Sequence, residues 1–317
     1  MLAGRAVGVT RPEEAVRRTA TTAPVVIVDG DFARGSIIAA VLEAGGLKTV
    51  VVETVAEAER LAARTDATIV REPEPRSVTI GGALDPDASR RRDQLEQVIE
   101  DGAFRTVFQP MIALYKSEVV GYEALTRFDD GTRPDHRFND AATLGVGAEL
   151  ELATIAAAVA AARSLPTGRF LSINLSPDLL LAHQEDLEQV IGELHRDHPV
   201  VLELTEHDVI HDYDAIRESL ARFSPTVQLS VDDAGAGFST LRHVVMLEPE
   251  YVKLDRSWVT DIHIDPTRQA LVAGLSYFAR TTGCELVAEG IEAEREREKL
   301  AELDVSLGQG YLLGPPV

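Results

Sequence analysis

From Thr106 to its end, the chain repeats one pattern: a short apolar run of strand type, then a stretch with helical spacing. The runs are Thr106–Leu114, Val119–Phe128, Arg169–Leu175, Val200–Thr205, Gln228–Asp232, Tyr251–Leu254, Glu285–Ala288 and a last one near Gly310–Leu313. Between them, Leu152, Ile155, Ala156 and Val159 form one apolar stripe, and Leu271, Leu275 and Phe278 form another. Strands joined through helices pair in parallel, and a long alternation of this kind predicts an α/β barrel. The first two runs lie too close for a helix between them, so they are read as a hairpin.

A smaller unit precedes the barrel. Val25–Val28, Val50–Val52 and Ala67–Val70 read as buried strands. Ile37, Ile38, Val41 and Leu42 repeat at helical spacing up to Gly45-Gly46, and Glu57–Arg64 reads as a second helix. The stretch Arg71–Arg92 holds Pro73, Pro75, Pro86 and Gly81-Gly82 and reads as a linker, with a helix from about Ala88 to Asp101. The expected organisation is a tail over 1–23, a small α/β regulatory or dimerisation domain over 24–73, a linker over 74–92, and the barrel over 93–317.

Charge limits the partners. Asp plus Glu number 52 against 31 Lys plus Arg, a formal net charge of −21. Such a surface repels a nucleic-acid backbone, which argues against a DNA- or RNA-coating protein. The single cysteine, Cys284, excludes an intramolecular disulfide framework and a cysteine-rich zinc site, and fits a reducing compartment. No apolar run is long enough to span a membrane, and the N-terminus lacks a signal-peptide core. The expected location is the cytoplasm, with no membrane partner.

Polar residues gather where the barrel strands end. Glu123 lies in the second strand and Asn174 closes the third. Glu203 and Glu206 close the fourth, and Asp232-Asp233 the fifth. Lys253 lies in the sixth, Glu289 ends the seventh, and Gln309 precedes the expected eighth. In an α/β barrel the C-terminal strand ends share one rim. One such carboxylate alone is more often a helix cap or a solvated loop residue. Several together repel, and either take up protons or bind a cation. An all-oxygen donor set suits Mg²⁺ or Mn²⁺ better than Zn²⁺. Lys253, between Val252 and Leu254, faces water if it points outward; pointing inward, it needs a carboxylate partner. After Asp232-Asp233, the run Ala234-Gly235-Ala236-Gly237 is either a plain turn or a place for close approach of a ligand.

These motifs, in order, resemble one family. Tyr122-Glu123-Ala124-Leu125-Thr126-Arg127-Phe128 is similar to the signature of the EAL family of cyclic di-GMP phosphodiesterases. Phe108-Gln109-Pro110 precedes it, and Asn174-Leu175-Ser176-Pro177, Glu203-Leu204-Thr205-Glu206, Asp232-Asp233, Lys253-Leu254-Asp255, Ala288-Glu289-Gly290-Ile291-Glu292 and Gln309-Gly310-Tyr311 follow. The resemblance covers most of the chain, from about Leu95 to Val317. It implies a TIM-like α/β barrel with an irregular first strand, usually dimeric. It implies hydrolysis of one phosphodiester bond of cyclic di-GMP to linear pGpG, with Mg²⁺ or Mn²⁺, in bacterial second-messenger signalling. By resemblance, Glu123, Asn174, Glu203 and Asp232 hold metal, and Asp233 and Glu289 complete a two-metal site. Lys253 orients or polarises the attacking water, and Gln109, Arg127 and Gln309 position substrate. Glu206 braces the Asp-Asp loop.

The sequence departs from the family in places. The family loop usually reads Asp-Asp-Phe-Gly-Thr-Gly-Tyr, whereas here it is Asp232-Asp233-Ala234-Gly235-Ala236-Gly237-Phe238. The end at Pro315-Pro316-Val317 predicts a short or absent last helix. The rival reading is a catalytically weak EAL barrel that captures cyclic di-GMP and acts through a protein partner. The expected ligand carboxylates are all present, which favours the enzyme. The first unit resembles part of a response-regulator receiver through Asp29-Gly30-Asp31, but Arg71-Glu72-Pro73 follows its third strand where a phospho-accepting Asp is expected.

Overall fold

The structure, a computed structural model, describes residues 25–28, 49–52, 68–71, 86–192, 194, 197–204, 210, 212–223, 227–234 and 238–317. The chain divides into two compact units. In the first, β1 (Val25–Val28), β2 (Thr49–Val52) and β3 (Thr68–Arg71) form a parallel sheet in the order β2-β1-β3. Parallel pairing agrees with the sequence reading, since β-branched runs suit strands and crossovers separate them. The two helices read in this unit, and Asp29 to Asp31, lie outside the described residues.

The second unit opens with α1 (Pro86–Asp101), which starts inside the stretch read as linker. Arg91 and Arg92 are therefore helical, and Arg91 pairs with Asp140 at 2.5 Å and Arg92 with Glu96 at 2.9 Å. Next come β4 (Phe104–Ala113), β5 (Glu118–Phe128), α2 (Pro134–Leu144) and α3 (Gly147–Ala162). They are followed by β6 (Phe170–Leu175), α4 (Pro177–Ala182), α5 (Gln184–Ile191), β7 (Val200–Leu204) and α6 (Tyr213–Leu220). The remainder is β8 (Val227–Ala234), α7 (Phe238–Leu247), β9 (Tyr251–Leu254), α8 (Arg256–Val259), α9 (Pro266–Thr282), β10 (Glu285–Ala288), α10 (Glu294–Glu302) and β11 (Leu307–Gly308).

Eight strands close a barrel in the order β10-β11-β4-β5-β6-β7-β8-β9. β4 runs antiparallel to both neighbours, as the short connection to β5 requires, while the other pairs are parallel. The last strand is Leu307–Gly308 and not Gly310–Leu313, so Gln309 follows it and does not precede it. The reason is Gly310, with φ of 155°. A Cβ there would lie 2.2 Å from the backbone N and O of Ile291, so the chain turns at a position only glycine can take. The N–H groups of Leu313 and Gly314 donate to the Gly310 carbonyl, and no helix forms in residues 309–317.

Two apolar layers hold the barrel. Outside it, Ile173, Leu175, Leu202, Leu204, Val231, Val252, Leu254 and Ala288 meet Ile155, Val159, Leu187, Ile216, Val272 and Leu300 from the surrounding helices. Each fully buried Val, Leu or Ile side chain among them contributes roughly 1.5–3 kcal/mol. Inside, Met111, Phe170, Val201, Tyr251, Val287 and Leu307 plug one end. The Phe170 and Tyr251 rings approach to 5.4 Å between centroids, and Gly121 makes room, since a Cβ there would stand 2.4 Å from the Phe170 ring. Among the described residues, no helix is long and apolar enough to cross a membrane.

Candidate active site

The polar residues stand one step above this plug. Side chains alternate faces along a strand, so the residue two positions toward the rim points the same way. Gly121 leads to Glu123, Phe170 to Ser172, Val201 to Glu203, Tyr251 to Lys253, Val287 to Glu289 and Leu307 to Gln309. β4 runs the other way, so Met111 leads back to Gln109, which pairs with Glu123. Asp232 enters through a register shift in β8 between Val231 and Ala234. Of Glu123-Ala124-Leu125, Glu123 faces the site while Ala124 packs in the outer core.

Lys253 is the centre of the cluster and is 1% exposed. Its Nζ lies 2.7 Å from Glu289 Oε1, 2.9 Å from Glu203 Oε2, 3.3 Å from Asp232 Oδ1 and 3.4 Å from Glu123 Oε1. Glu123 Oε1 also accepts from Asn174 Nδ2 at 3.4 Å, and its Oε2 accepts from Gln309 Nε2 at 2.5 Å. Gln309 Nε2 also donates to Gln109 Oε1 at 2.9 Å, and Gln109 donates to the Gly314 carbonyl at 3.2 Å. Ser172 donates to Glu203 Oε1 at 2.5 Å.

Four carboxylates around one ammonium leave a formal charge of −3 (1 − 4). Burial pushes the Glu203 carboxyl up to about 8, with Glu123 and Asp232 adding to the rise while Lys253 and Ser172 oppose it. Burial likewise raises Glu289 well above the usual range, against the pull of Lys253. For Lys253, burial alone favours the neutral amine, but Asp232, Glu123, Glu203 and Glu289 together hold it well above its ordinary value. Lys253 is thus a fixed cation, and the surplus negative charge calls for protons or further cations.

The expected metal fits this donor set. Glu123, Glu203, Asp232, Glu289 and Asn174 offer oxygen atoms only, which suits Mg²⁺ or Mn²⁺. Gln309 Oε1, buried in the same place, has no partner among the described residues.

The structure brings together Glu123, Asn174, Glu203, Asp232, Lys253, Glu289, Gln109 and Gln309. Arg127 stands apart from them: it is half-buried, four residues beyond Glu123 on β5, and its Nη1 donates to the Thr126 carbonyl at 2.9 Å. Asp233 belongs to β8, but its side chain lies outside the described residues, as do Glu206 and 235–237. Two residues escaped the sequence reading. Ser172, fully buried, braces Glu203, and Ser230, 1% exposed, shares the inner face of β8 with Asp232. Their signal was the strand alternation itself, two residues before Asn174 and Asp232. A separate group, Asp261, His263 and Glu296, has ligand atoms within 4.8 Å of one another. Glu296 there accepts the N–H groups of Asp261, Glu292 and Ala293 at 2.9, 3.0 and 3.0 Å, which accounts for its burial by capping α10.

The sequence profile of the EAL domain family matches residues 92–316. The chain belongs to the EAL domain family. The cyclic di-GMP phosphodiesterase RocR of Pseudomonas aeruginosa is 28% identical over 232 residues, covering 69% of this chain and 59% of RocR. The cyclic di-GMP phosphodiesterase PdeL of Escherichia coli is 27% identical over 239 residues, covering 71% of this chain and 66% of PdeL. Among solved structures, the manganese and cyclic di-GMP complex of Klebsiella pneumoniae BlrP1 at pH 9.0 superposes with a TM-score of 0.61 at 32% identity, over 68% of this chain and 56% of BlrP1. The chain thus spans 56% to 66% of the length of these EAL proteins.

Proposed function

We propose that this EAL domain is a cyclic di-GMP phosphodiesterase, cleaving one phosphodiester bond of the ring to give linear pGpG with Mg²⁺ or Mn²⁺. The observation that carries the reading is the buried carboxylate cluster around Lys253, set above the apolar plug. RocR and PdeL, named as phosphodiesterases of this substrate, support it, as does the BlrP1 complex. Glu123, Asn174, Glu203, Asp232, Asp233 and Glu289 would hold the cations. Two divalent ions supply Lewis acidity and lower the pKa of water. The protein's own groups do the rest. Lys253 keeps a permanent positive charge among the acids and orients the attacking water. Gln309 Oε1 offers an acceptor and, with Gln109, positions the substrate. Arg127, toward the rim, has guanidinium donors left for a forked contact with phosphate. Glu206 would brace the Asp-Asp loop. The reading includes a homodimer, for which the partly exposed Val245 and Met246 on α7 offer apolar surface.

The test uses purified protein with cyclic di-GMP and Mg²⁺ or Mn²⁺, with chromatography for pGpG, beside a Glu123→Gln variant. The parent is expected to form pGpG and the folded variant to lose at least about 10²–10³ of the rate, on the scale of a lost transition-state contact. A parent that binds cyclic di-GMP but never cuts it refutes the enzyme reading in favour of the receptor.

A further inference from the structure

Asn174 ends β6 at a corner, and its position depends on what fixes that corner. Leu175 is buried at 1% exposure, and Ser176 and Pro177 then open α4. Ser176 Oγ accepts the Leu179 N–H at 3.2 Å, capping α4. A cap of this kind orders the start of α4 but does not tie it to the rest of the barrel.

Glu151 supplies the tie. It lies on α3, whose Leu150 and Ile155 are anchored in the core. Its carboxylate takes both donors of Ser176, the backbone N–H at 2.5 Å on Oε1 and the hydroxyl at 2.7 Å on Oε2. Charge-assisted, two-point contacts of this type hold geometry as well as contribute energy. Only Leu175 separates this clamp from Asn174, whose Nδ2 reaches Glu123 at 3.4 Å. With that nitrogen turned to Glu123, the amide oxygen is the atom a cation takes.

We propose that Glu151 is a positioning residue for the cation site, holding Asn174 in place through the Ser176 corner. This rests on the cation site of the phosphodiesterase reading. The route from Glu151 to the site is the pair of bonds to Ser176, next but one to Asn174. Groups hydrogen-bonded directly to a metal ligand typically change metal affinity by roughly 10–100-fold; Glu151 acts one link further out, through Ser176, so the low end of that range applies.

The experiment titrates Mn²⁺ into the full chain without substrate, by calorimetry and by the electron paramagnetic resonance of free Mn²⁺. The proteins are the parent, Glu151→Ala, Glu151→Gln, Asn174→Ala and the double variant Glu151→Ala/Asn174→Ala. Glu151→Ala is expected to weaken Mn²⁺ binding by roughly 10-fold. Glu151→Gln keeps shape and one acceptor, so it loses less and guards against a misfolded alanine variant. The double variant is expected to bind no more weakly than Asn174→Ala alone, because both changes act through one ligand. Losses that multiply in the double variant assign Glu151 a general structural role and overturn the proposal, as does parent-like affinity in both Glu151 variants. If Asn174→Ala weakens Mn²⁺ binding and the Glu151 variants do not, only this proposal fails. If Asn174→Ala binds like the parent, or the parent binds no Mn²⁺, the cation-site reading fails and this one with it.

Discussion

Lys253→Met isolates the electrostatics of the barrel interior. Methionine keeps an unbranched apolar stem, one atom shorter, but removes the ammonium that faces Glu123, Glu203, Asp232 and Glu289 at 2.7–3.4 Å. Breaking a buried ion pair from one side costs about 3–5 kcal/mol, because the remaining charge is left without a partner. At roughly 2–4 °C per kcal/mol for a unit of this size, the metal-free melting temperature at pH 8 should drop by about 6–20 °C. The deficit has a ceiling, since a carboxylate that loses Lys253 can take up a proton instead. Each extra proton bound in the folded variant costs ~1.4 kcal/mol per pH unit above its ordinary pKa. Between pH 8 and pH 5.5 one extra proton therefore recovers roughly 3 kcal/mol, and most of the deficit should vanish. Urea and thermal unfolding in chelator, at both pH values, read this directly. A variant as stable as the parent at pH 8, or a deficit that persists unchanged at pH 5.5, refutes the picture of one lysine balancing four acids.

The parent itself should respond to pH. Glu203 titrates near 8 in the folded chain against 4.5 for an ordinary carboxyl, so the folded state holds the extra proton between those values. The metal-free stability that Glu203 contributes should fall as pH rises from about 4.5 to 8 and then level off, and Mn²⁺ should flatten that slope in a urea-midpoint series. His243 behaves in the opposite sense: burial, helped by Arg242, pushes it down to about 4, while its Nδ1 meets the Tyr213 hydroxyl at 2.9 Å. The stability that His243 contributes should be lost as pH falls from 6.5 toward 4, offsetting the Glu203 trend below 6.5, and the same series on His243→Gln should lack that acid-side loss. Gly310→Ala places a methyl 2.2 Å from the Ile291 backbone, so it should destabilise by about 2 kcal/mol or more and displace Gln309. Chemical denaturation measures the first effect, and a parent-like midpoint would show that the turn can relax.

How much of the site was legible depends on the residue. Glu123, Glu203, Asp232 and Lys253 were readable because a charged side chain inside an apolar strand has few reasons to be there. Gln309 is readable as a site residue, but the apolar pattern puts its strand after it rather than before it. The segment Gly310–Leu313 looks as apolar as a strand, and only the approach of the Ile291 backbone to Gly310 turns it away. Arg127 shares the face of Glu123 by alternation, yet its distance from the cluster follows from how far β5 runs past the rim. Ser172 and Ser230 carried no signal by themselves, since a serine in a strand is unremarkable until its neighbours are known.

The sequence by itself determined the order of elements, the hairpin that sets β4 against its neighbours, and the alternation that gives each strand one inner and one outer face. Those are local properties, set by spacing, turn length and the period of two along a strand. Only the closed barrel decided that Glu123, Glu203, Asp232 and Glu289, drawn from four strands and as far apart in the chain as position 123 and position 289, meet around a single ammonium. Closure also decided their protonation. Each carboxylate alone would be an ordinary acid in water, but the apolar plug beneath and the shared burial make ionisation of the whole set unfavourable without added positive charge.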